Sequence, residues 1–230
     1  MGSDTPGVRL AIHGLPDGAR ILDAACGIGI DALALTRNGF AVTASDSSEE
    51  MLAEAERRIE HLDVAARPRL IHSSWPDLGG QLGRGVFDAV FCIGSSIAHA
   101  AGPDDMTEAL RVFRSLLAPG GVLILDTRDW EAVAGRGEAG ALEVERQIVQ
   151  RHGRRCIRTF RWNEPDTQGI IELEASLIFL DGDAVSYRSH RVRQRPFTRR
   201  ELRDNLRRAG FESVALDHIP GDDRYTATAR

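Results

Sequence analysis

The sequence predicts an α/β protein: a doubly wound, mostly parallel sheet with an antiparallel insertion after the fifth strand. Three observations carry this. Strand-like apolar runs alternate with amphipathic helical stretches between residues 20 and 126, the pattern that places helices on both faces of a parallel sheet. After Trp130 the texture changes, because 142–163 and 170–195 are rich in Val, Ile, Arg and Thr with partial period-two alternation. A helical stretch and two further strands then close the chain.

Element by element, residues 20–25 read as a buried strand, 30–38 as a helix, 41–46 as a strand and 48–61 as a helix, with Ser47 or Ser48 capping the acidic turn Glu49-Glu50. Further strands are expected at 68–72, at 87–93 (FDAVFCI) and at 121–126 (GVLILD), with a helix near 105–117 stopped by Pro119-Gly120-Gly121. The meander after Trp130 has a turn signal at Asp181-Gly182-Asp183, and 134–195 is expected as an insertion within a single domain spanning 1–230. A last helix at 198–209, opened by Thr198 and closed by Gly210, leads to strands near 211–217 and 224–230. Outside the insertion this makes a seven-stranded, Rossmann-like sheet.

The bulk properties exclude several classes. A chain of 230 residues, 42% hydrophobic and 27% charged, suits one globular domain with a large core. No run approaches the ~18 apolar residues of a membrane span, and MGSDTPGVRL has no signal-peptide core. The expectation is a cytoplasmic protein with no membrane partner; homo-oligomerisation is left open. Cys26, Cys92 and Cys156 have no paired metal-ligand spacing, so no metal is expected. Residues 1–133 hold 11 arginines against 19 acids, whereas 134–230 hold 18 against 15.

In ILDAACGIGIDALALTRNGFAVTASD, residues 21–46, Gly27-Ile28-Gly29 follows a strand and opens a helix, so the backbone can turn tightly and aim amide groups at a ligand. A tight turn without a ligand gives the same glycines. Asp46 ends the second strand 17 residues after Gly29, where a carboxylate can accept both ribose hydroxyls of an adenosine. Asp23 lies just before the loop and Asp31 just inside the helix, where a dinucleotide would place its pyrophosphate. S-adenosylmethionine (SAM) has no phosphates and carries a sulfonium and an ammonium, so these acids favour SAM over NAD.

The stretches LDAACGIG, GFAVTASDSSEEML, SSWPDL, FDAVFCIGSSIAH and LAPGGVLILDTRDWE, within about residues 21–131, resemble class I SAM-dependent methyltransferases and, among them, the glycine N-methyltransferase family. SYRSH and PFTRRELRDNLRRAGF are a looser match. The resemblance implies that Ala25, Gly27 and Gly29 line the methionine part of SAM and that Asp46, with Ser47 beside it, holds the ribose. It also implies that Met51 packs near the adenine, that Ser74 and Trp75 flank the adenine edge, and that Ile93 gives a backbone contact. Core packing is the alternative for Met51 and Ile93.

Methyl transfer from a sulfonium is an in-line displacement, so the protein has chiefly to align the groups and exclude water. Arg128 follows the carboxyl end of a central strand, where open α/β sheets bind ligands, and its planar fork suits a substrate carboxylate. The resemblance implies the same role; internal pairing with Asp126 or Asp129 is the alternative. His99, past the loop Gly94-Ser95-Ser96, is a candidate base or a hydrogen-bonding structural residue. Where the family has an asparagine that positions the substrate, this chain has Ser95, which leaves room for a bulkier amine acid. The family also supplies an N-terminal segment over SAM, whereas only about 20 residues precede the first strand here; either that segment is missing from this sequence or the pocket is closed differently, with 134–195 as the candidate cap.

The function expected is transfer of a methyl group from SAM to a small molecule, the amine of an amino acid, with a small-molecule N- or O-methyltransferase of secondary metabolism as alternative. A nucleic-acid methyltransferase is the rival suggested by nine arginines in 187–211. An Asn-Pro-Pro-Tyr type of base-binding motif is missing, and no nucleic-acid partner is expected. A non-catalytic SAM-binding domain and an NAD-dependent oxidoreductase complete the alternatives.

Overall fold

The computed structural model describes residues 12–60, 62–63, 67–135, 142–144, 149–151, 154–181, 183–218 and 224–230. The chain divides into two compact units, Met1–Asp129 with Thr198–Arg230, and Trp130–Phe197. The first begins with β1 (Arg20–Asp23), α1 (Ile30–Arg37), β2 (Ala41–Asp46), α2 (Glu49–Ile59), β3 (Arg69–His72) and α3 (Trp75–Leu82). It continues with β4 (Phe87–Cys92), a 3₁₀ turn (Ser96–His99), α4 (Pro103–Leu116) and β5 (Leu117–Arg128). The second unit holds α5 (Trp130–Gly135), β6 (Leu142–Val144), β7 (Val149–Arg151), β8 (Arg154–Trp162), β9 (Ile171–Asp181) and β10 (Ala184–Gln194). The first unit is completed by α6 (Arg199–Arg208), β11 (Val214–His218) and β12 (Arg224–Ala229).

The first sheet has seven strands in the order β11-β12-β5-β4-β1-β2-β3. Its parallel pairs run from β3 to β5, and β12 is antiparallel to both β5 and β11. From β1 the chain builds outward to β2 and β3, then crosses back to place β4 on the other flank of β1. The reversal between β1 and β4 opens a crevice at the carboxyl ends of these strands, the place where such sheets bind ligands.

The strands form because their runs are apolar on both faces, as a covered parallel sheet requires. Ile21, Leu22, Val90, Phe91, Ile124 and Leu125 are all fully buried, each such side chain contributing ~1.5–3 kcal/mol of transfer free energy. In α4, Met106, Leu110 and Phe113 fall on one helical face and are fully buried as well. Helix starts follow local capping: Ser48 Oγ accepts from Met51 N at 3.3 Å and Thr198 Oγ1 from Glu201 N at 3.0 Å.

Two local features differ from the sequence reading. Residues 75–82 form a helix where Gly79-Gly80 hides helical periodicity; Pro76 in its first turn and buried Leu78 hold it. Pro119-Gly120-Gly121 does not precede β5 but lies within it, at a register shift between Phe87↔Leu117 and Ala89↔Val122. A Cβ on Gly121 would come 3.0–3.1 Å from Ala118 O, Leu117 Cδ2 and Phe87 O, so a side chain there would press its neighbours apart by a few tenths of an ångström.

The second unit is an antiparallel sheet, β10-β9-β8-β6 with β7 also paired to β8, the insertion expected after the fifth strand. β9 and β10 pair along their full length from Asp181↔Ala184 to Ile171↔Gln194. Gly182 and residues 136–141, 145–148 and 152–153 of the expected meander, and His61 at the end of the expected second helix, lie outside the described residues. None of the described helices is long and apolar enough to cross a membrane.

Candidate active site

The loop after β1 is tied down from three sides. Ala24 N donates to Phe91 O of β4 at 2.8 Å, Cys26 N to Ser45 O of β2 at 2.9 Å, and Gly29 N closes a turn on Cys26 O at 2.9 Å. Gly27 (φ 52°) and Gly29 (φ 75°) take the left-handed backbone that makes this turn. At Gly29 a Cβ would sit 3.1 Å from Ala55 Cβ, which lets α2 pack close beneath the loop.

Asp46 is the clasp of this loop. Its Oδ2 accepts from Gly27 N at 2.8 Å and its Oδ1 from Ser48 N at 2.9 Å, and each oxygen keeps a second lone pair for a further donor. Ser47 is exposed beside it, and its carbonyl lies 3.0 Å from His72 Nε2. Met51 lies in the first turn of α2 and is 38% exposed, not packed into the core. Ser74 precedes α3 and its hydroxyl donates to Asp77 Oδ2 at 2.6 Å. The Trp75 indole N–H donates to Ala24 O at 2.6 Å, and its ring meets Phe113 edge-on at 5.7 Å. Trp75 therefore anchors the loop with its polar atom, and only its ring surface is left for a ligand.

Asp23 stands out electrostatically. It is 1% exposed, and its Oδ2 has no hydrogen-bond partner. Burial, with further contributions from Asp31 and Asp46, pushes its carboxyl up to about 8, against one backbone bond from Ala25 that favours the ionised form. Burial first, then Asp23, pushes the Cys26 and Cys92 thiols far up, so neither is a thiolate nucleophile. Ala25 is half-buried between Asp23 and the glycines.

The loop after β4 supplies the other flank. Ile93 is buried in the core and its carbonyl accepts from Ser96 Oγ at 2.6 Å. Ser95 is 1% exposed and has φ 64°, the one non-glycine residue with positive φ among those described. Its N–H donates to Asp126 O at 2.9 Å, and its hydroxyl oxygen accepts from Arg128 N at 2.8 Å. Its oxygen is thus engaged with the backbone of the arginine at the end of β5. His99 ends the 3₁₀ turn and is exposed.

Half-buried Arg128 is bracketed by two buried acids, Asp126 and Asp129. Asp126 Oδ1 accepts from Arg224 Nε at 2.9 Å and Nη2 at 2.5 Å, and Asp129 is paired with Arg199, with His218 Nε2 at 3.4 Å. These three partners are absent from the sequence reading of the site. They lie 70 and more residues beyond the acids, in α6, β11 and β12, and only the placing of β12 beside β5 announces them.

The structure therefore brings Asp23, Ala25, Gly27, Gly29, Asp46 and Trp75 into one bonded set, with Ser47 and Met51 on its rim, and Ser95 and Arg128 into a second, Ile93 being bonded to Ser96 beside it. Both lie at the carboxyl edge of adjacent strands. Among the described residues no three His, Cys, Asp or Glu side chains form a metal-ligating group.

Comparison with known proteins shows what this chain is similar to. A model described as a methyltransferase domain matches residues 21–121. The glycine N-methyltransferase of Rattus norvegicus is 38% identical over 128 residues, and the glycine/sarcosine N-methyltransferase of Aphanothece halophytica is 36% identical over 118; each match covers 51% of this chain and 43% of the relative. The chain thus spans less than half the length of these curated relatives. An amino pentose methyltransferase from Micromonospora echinaspora, solved with SAM bound, superposes with a TM-score of 0.75 at 26% identity, covering 97% of this chain and 89% of that one. The matched region carries the clasped glycine loop, and the same fold recurs along nearly the whole chain in a methyltransferase solved with SAM bound, so residues 21–121 match a methyltransferase domain and the fold is that of the class I SAM-dependent methyltransferases.

Proposed function

We propose that this protein binds SAM in the crevice outside β1 and β4 and methylates the amine of a small carboxylate-bearing acceptor, an amino acid of the glycine or sarcosine kind. The observation that carries the cofactor assignment is Asp23. A fully buried carboxylate with an unpartnered oxygen calls for a proton or a cation. SAM brings cations and no phosphate to set against Asp23, Asp31 and Asp46. When bound, SAM supplies an electrophilic methyl group on a positively charged sulfur.

The chain's own residues then have to hold and align. The free lone pairs of Asp46 accept ribose hydroxyls while the same carboxylate braces Gly27 and Ser48. The Met51 thioether and the Trp75 ring offer apolar surface to the adenine. Arg128, at the carboxyl end of β5, holds the acceptor carboxylate with its planar fork and leaves the amine free to attack once it has lost its proton. His99, exposed at the end of the 3₁₀ turn, is the candidate to take up that proton. Free, buried cysteines suit a reducing compartment, and we place the protein in the cytoplasm.

A second reading rests on the likeness to the amino pentose methyltransferase, which runs along 97% of the chain where the amino-acid methyltransferases match 51%. It makes the acceptor a sugar amine without a carboxylate. Labelled SAM offered with glycine, sarcosine, larger amino acids and amino sugars separates the two. On the first reading Arg128→Lys lowers acceptor kcat/KM at least about tenfold and leaves SAM affinity within about twofold, because a point charge does not replace the fork. Equal turnover of neutral amines, or a silent Arg128→Lys, overturns the amino-acid reading.

A further inference from the structure

We infer that Ser95 is a positioning residue for Arg128 that fixes the acceptor-binding arginine through its backbone and does not itself touch the acceptor. This rests on the assignment of Arg128 to the acceptor carboxylate. The argument begins with conformation. Serine gains nothing from a left-handed backbone, which for an L side chain is disfavoured relative to the right-handed regions. Ser95 nevertheless holds φ 64° while 1% exposed, between an exposed Gly94 and the 3₁₀ turn.

What holds it there is a two-bond clasp between strands. Its N–H donates to Asp126 O at 2.9 Å and its Oγ accepts from Arg128 N at 2.8 Å. One residue of the β4 loop therefore grips β5 on both sides of Thr127, where the strand ends. Asp126 and Arg128 are two apart in β5 and share a strand face. Asp126 Oδ1 is itself held by Arg224, which stands opposite Arg128 in the register. The Arg128 backbone is thus fixed by Ser95 from the β4 side and by β12 from the other.

Side-chain placement follows backbone placement, and misplacing a binding group by about 1 Å lowers efficiency up to about a hundredfold. The small size of Ser95 is then a requirement: a hydroxyl on one carbon reaches the neighbouring amide without entering the space beside the acceptor. A longer side chain at 95 would trade this clasp for contact with the acceptor.

Ser95→Gly makes the test, because glycine relieves the left-handed backbone while removing the acceptor oxygen. Hydrogen exchange at the Arg128 amide is measured together with acceptor KM, kcat, SAM affinity and thermal stability. The expected result is exchange faster by about tenfold or more, acceptor KM raised about tenfold, and SAM affinity within about twofold. The melting temperature is expected to hold or rise, so the loss cannot be a folding defect. Ser95→Ala should match the kinetic loss at lower stability, since alanine keeps the strain and lacks the oxygen.

Unchanged exchange at Arg128 overturns the clasp whatever the acceptor proves to be. Faster exchange with unchanged acceptor KM, in a protein that Arg128→Lys impairs, overturns the positioning role alone. A silent Arg128→Lys instead removes the amino-acid reading, and the acceptor arm of this inference with it.

Discussion

Asp23 makes the apo protein's stability pH-dependent. In the unfolded chain its carboxyl titrates at its ordinary 3.8, and in the folded protein burial raises it to about 8. Between these values the folded state keeps a proton that the unfolded state has lost, so stability falls as pH rises from about 4 to about 8 and then levels off. At ~1.4 kcal/mol per pH unit, the whole gap sets a ceiling of about 5–6 kcal/mol. Near pH 7 the empty site holds about nine-tenths of a proton on Asp23, whereas a bound cation favours the carboxylate. SAM binding should then release close to one proton at pH 6–7 and tighten up to about tenfold per pH unit across pH 6–7.5. Calorimetric titration in buffers of different ionisation enthalpy reads the proton directly, and urea unfolding at several pH values reads the stability. Asp23→Asn, near-isosteric and always neutral, should flatten the fall in stability, release no proton and bind SAM about tenfold or more weakly, the scale of a lost charge-assisted bond. Wild type that binds SAM with no proton release and a pH-independent affinity would refute this account, as would an unaltered stability slope in Asp23→Asn.

Two further expectations follow from the same geometry. Asp46→Ala removes both braces of the glycine loop and should weaken SAM binding by ~1.5–3 kcal/mol, with Asp46→Asn intermediate because one acceptor oxygen remains; unchanged affinity in folded Asp46→Ala takes Asp46 out of the site. The arginine-rich stretch 187–211 should not bind nucleic acid, because Arg191, Arg193, Arg199 and Arg200 are paired with Glu172, Asp166, Asp129 and Asp204; micromolar RNA binding at physiological salt with a steep salt slope contradicts this.

What the sequence made legible was what short-range chemistry decides. The caps at Ser48 and Thr198 and the alternation of strand and helix each follow from a few neighbouring residues. The failures have equally specific causes. Gly79-Gly80 hid the periodicity of α3, and Pro119-Gly120-Gly121 has the composition of a stop although the chain uses it as a bulge inside β5. In the site, Asp23 and Asp31 were readable as acids that favour a cationic cofactor, and Asp46 as a candidate for the ribose, because their positions follow from the strand ends and the start of α1. That Asp46 spends one lone pair of each oxygen on the loop was not readable, nor was the φ of Ser95. Arg199, His218 and Arg224 reach Asp129 and Asp126 only because β12 returns beside β5.

Two features that break local rules mark the same place. A buried carboxylate oxygen without a partner and a serine in the left-handed region are each unfavourable by themselves. One ends β1 and the other follows β4, the two strands that flank the topological switch. Chains tolerate such violations where the surroundings over-determine them or where a ligand relieves them. Ser95 is of the first kind, held by two backbone bonds, so its strain persists whether or not a ligand is bound. Asp23 is of the second kind, since no described residue satisfies its free oxygen. On the proposed assignment the acceptor flank of the crevice is therefore preformed, whereas the cofactor flank gains its full stability only on binding. Cofactor binding should accordingly raise the melting temperature more at pH 8 than at pH 6, because at pH 8 the empty protein carries more of the unpaired charge.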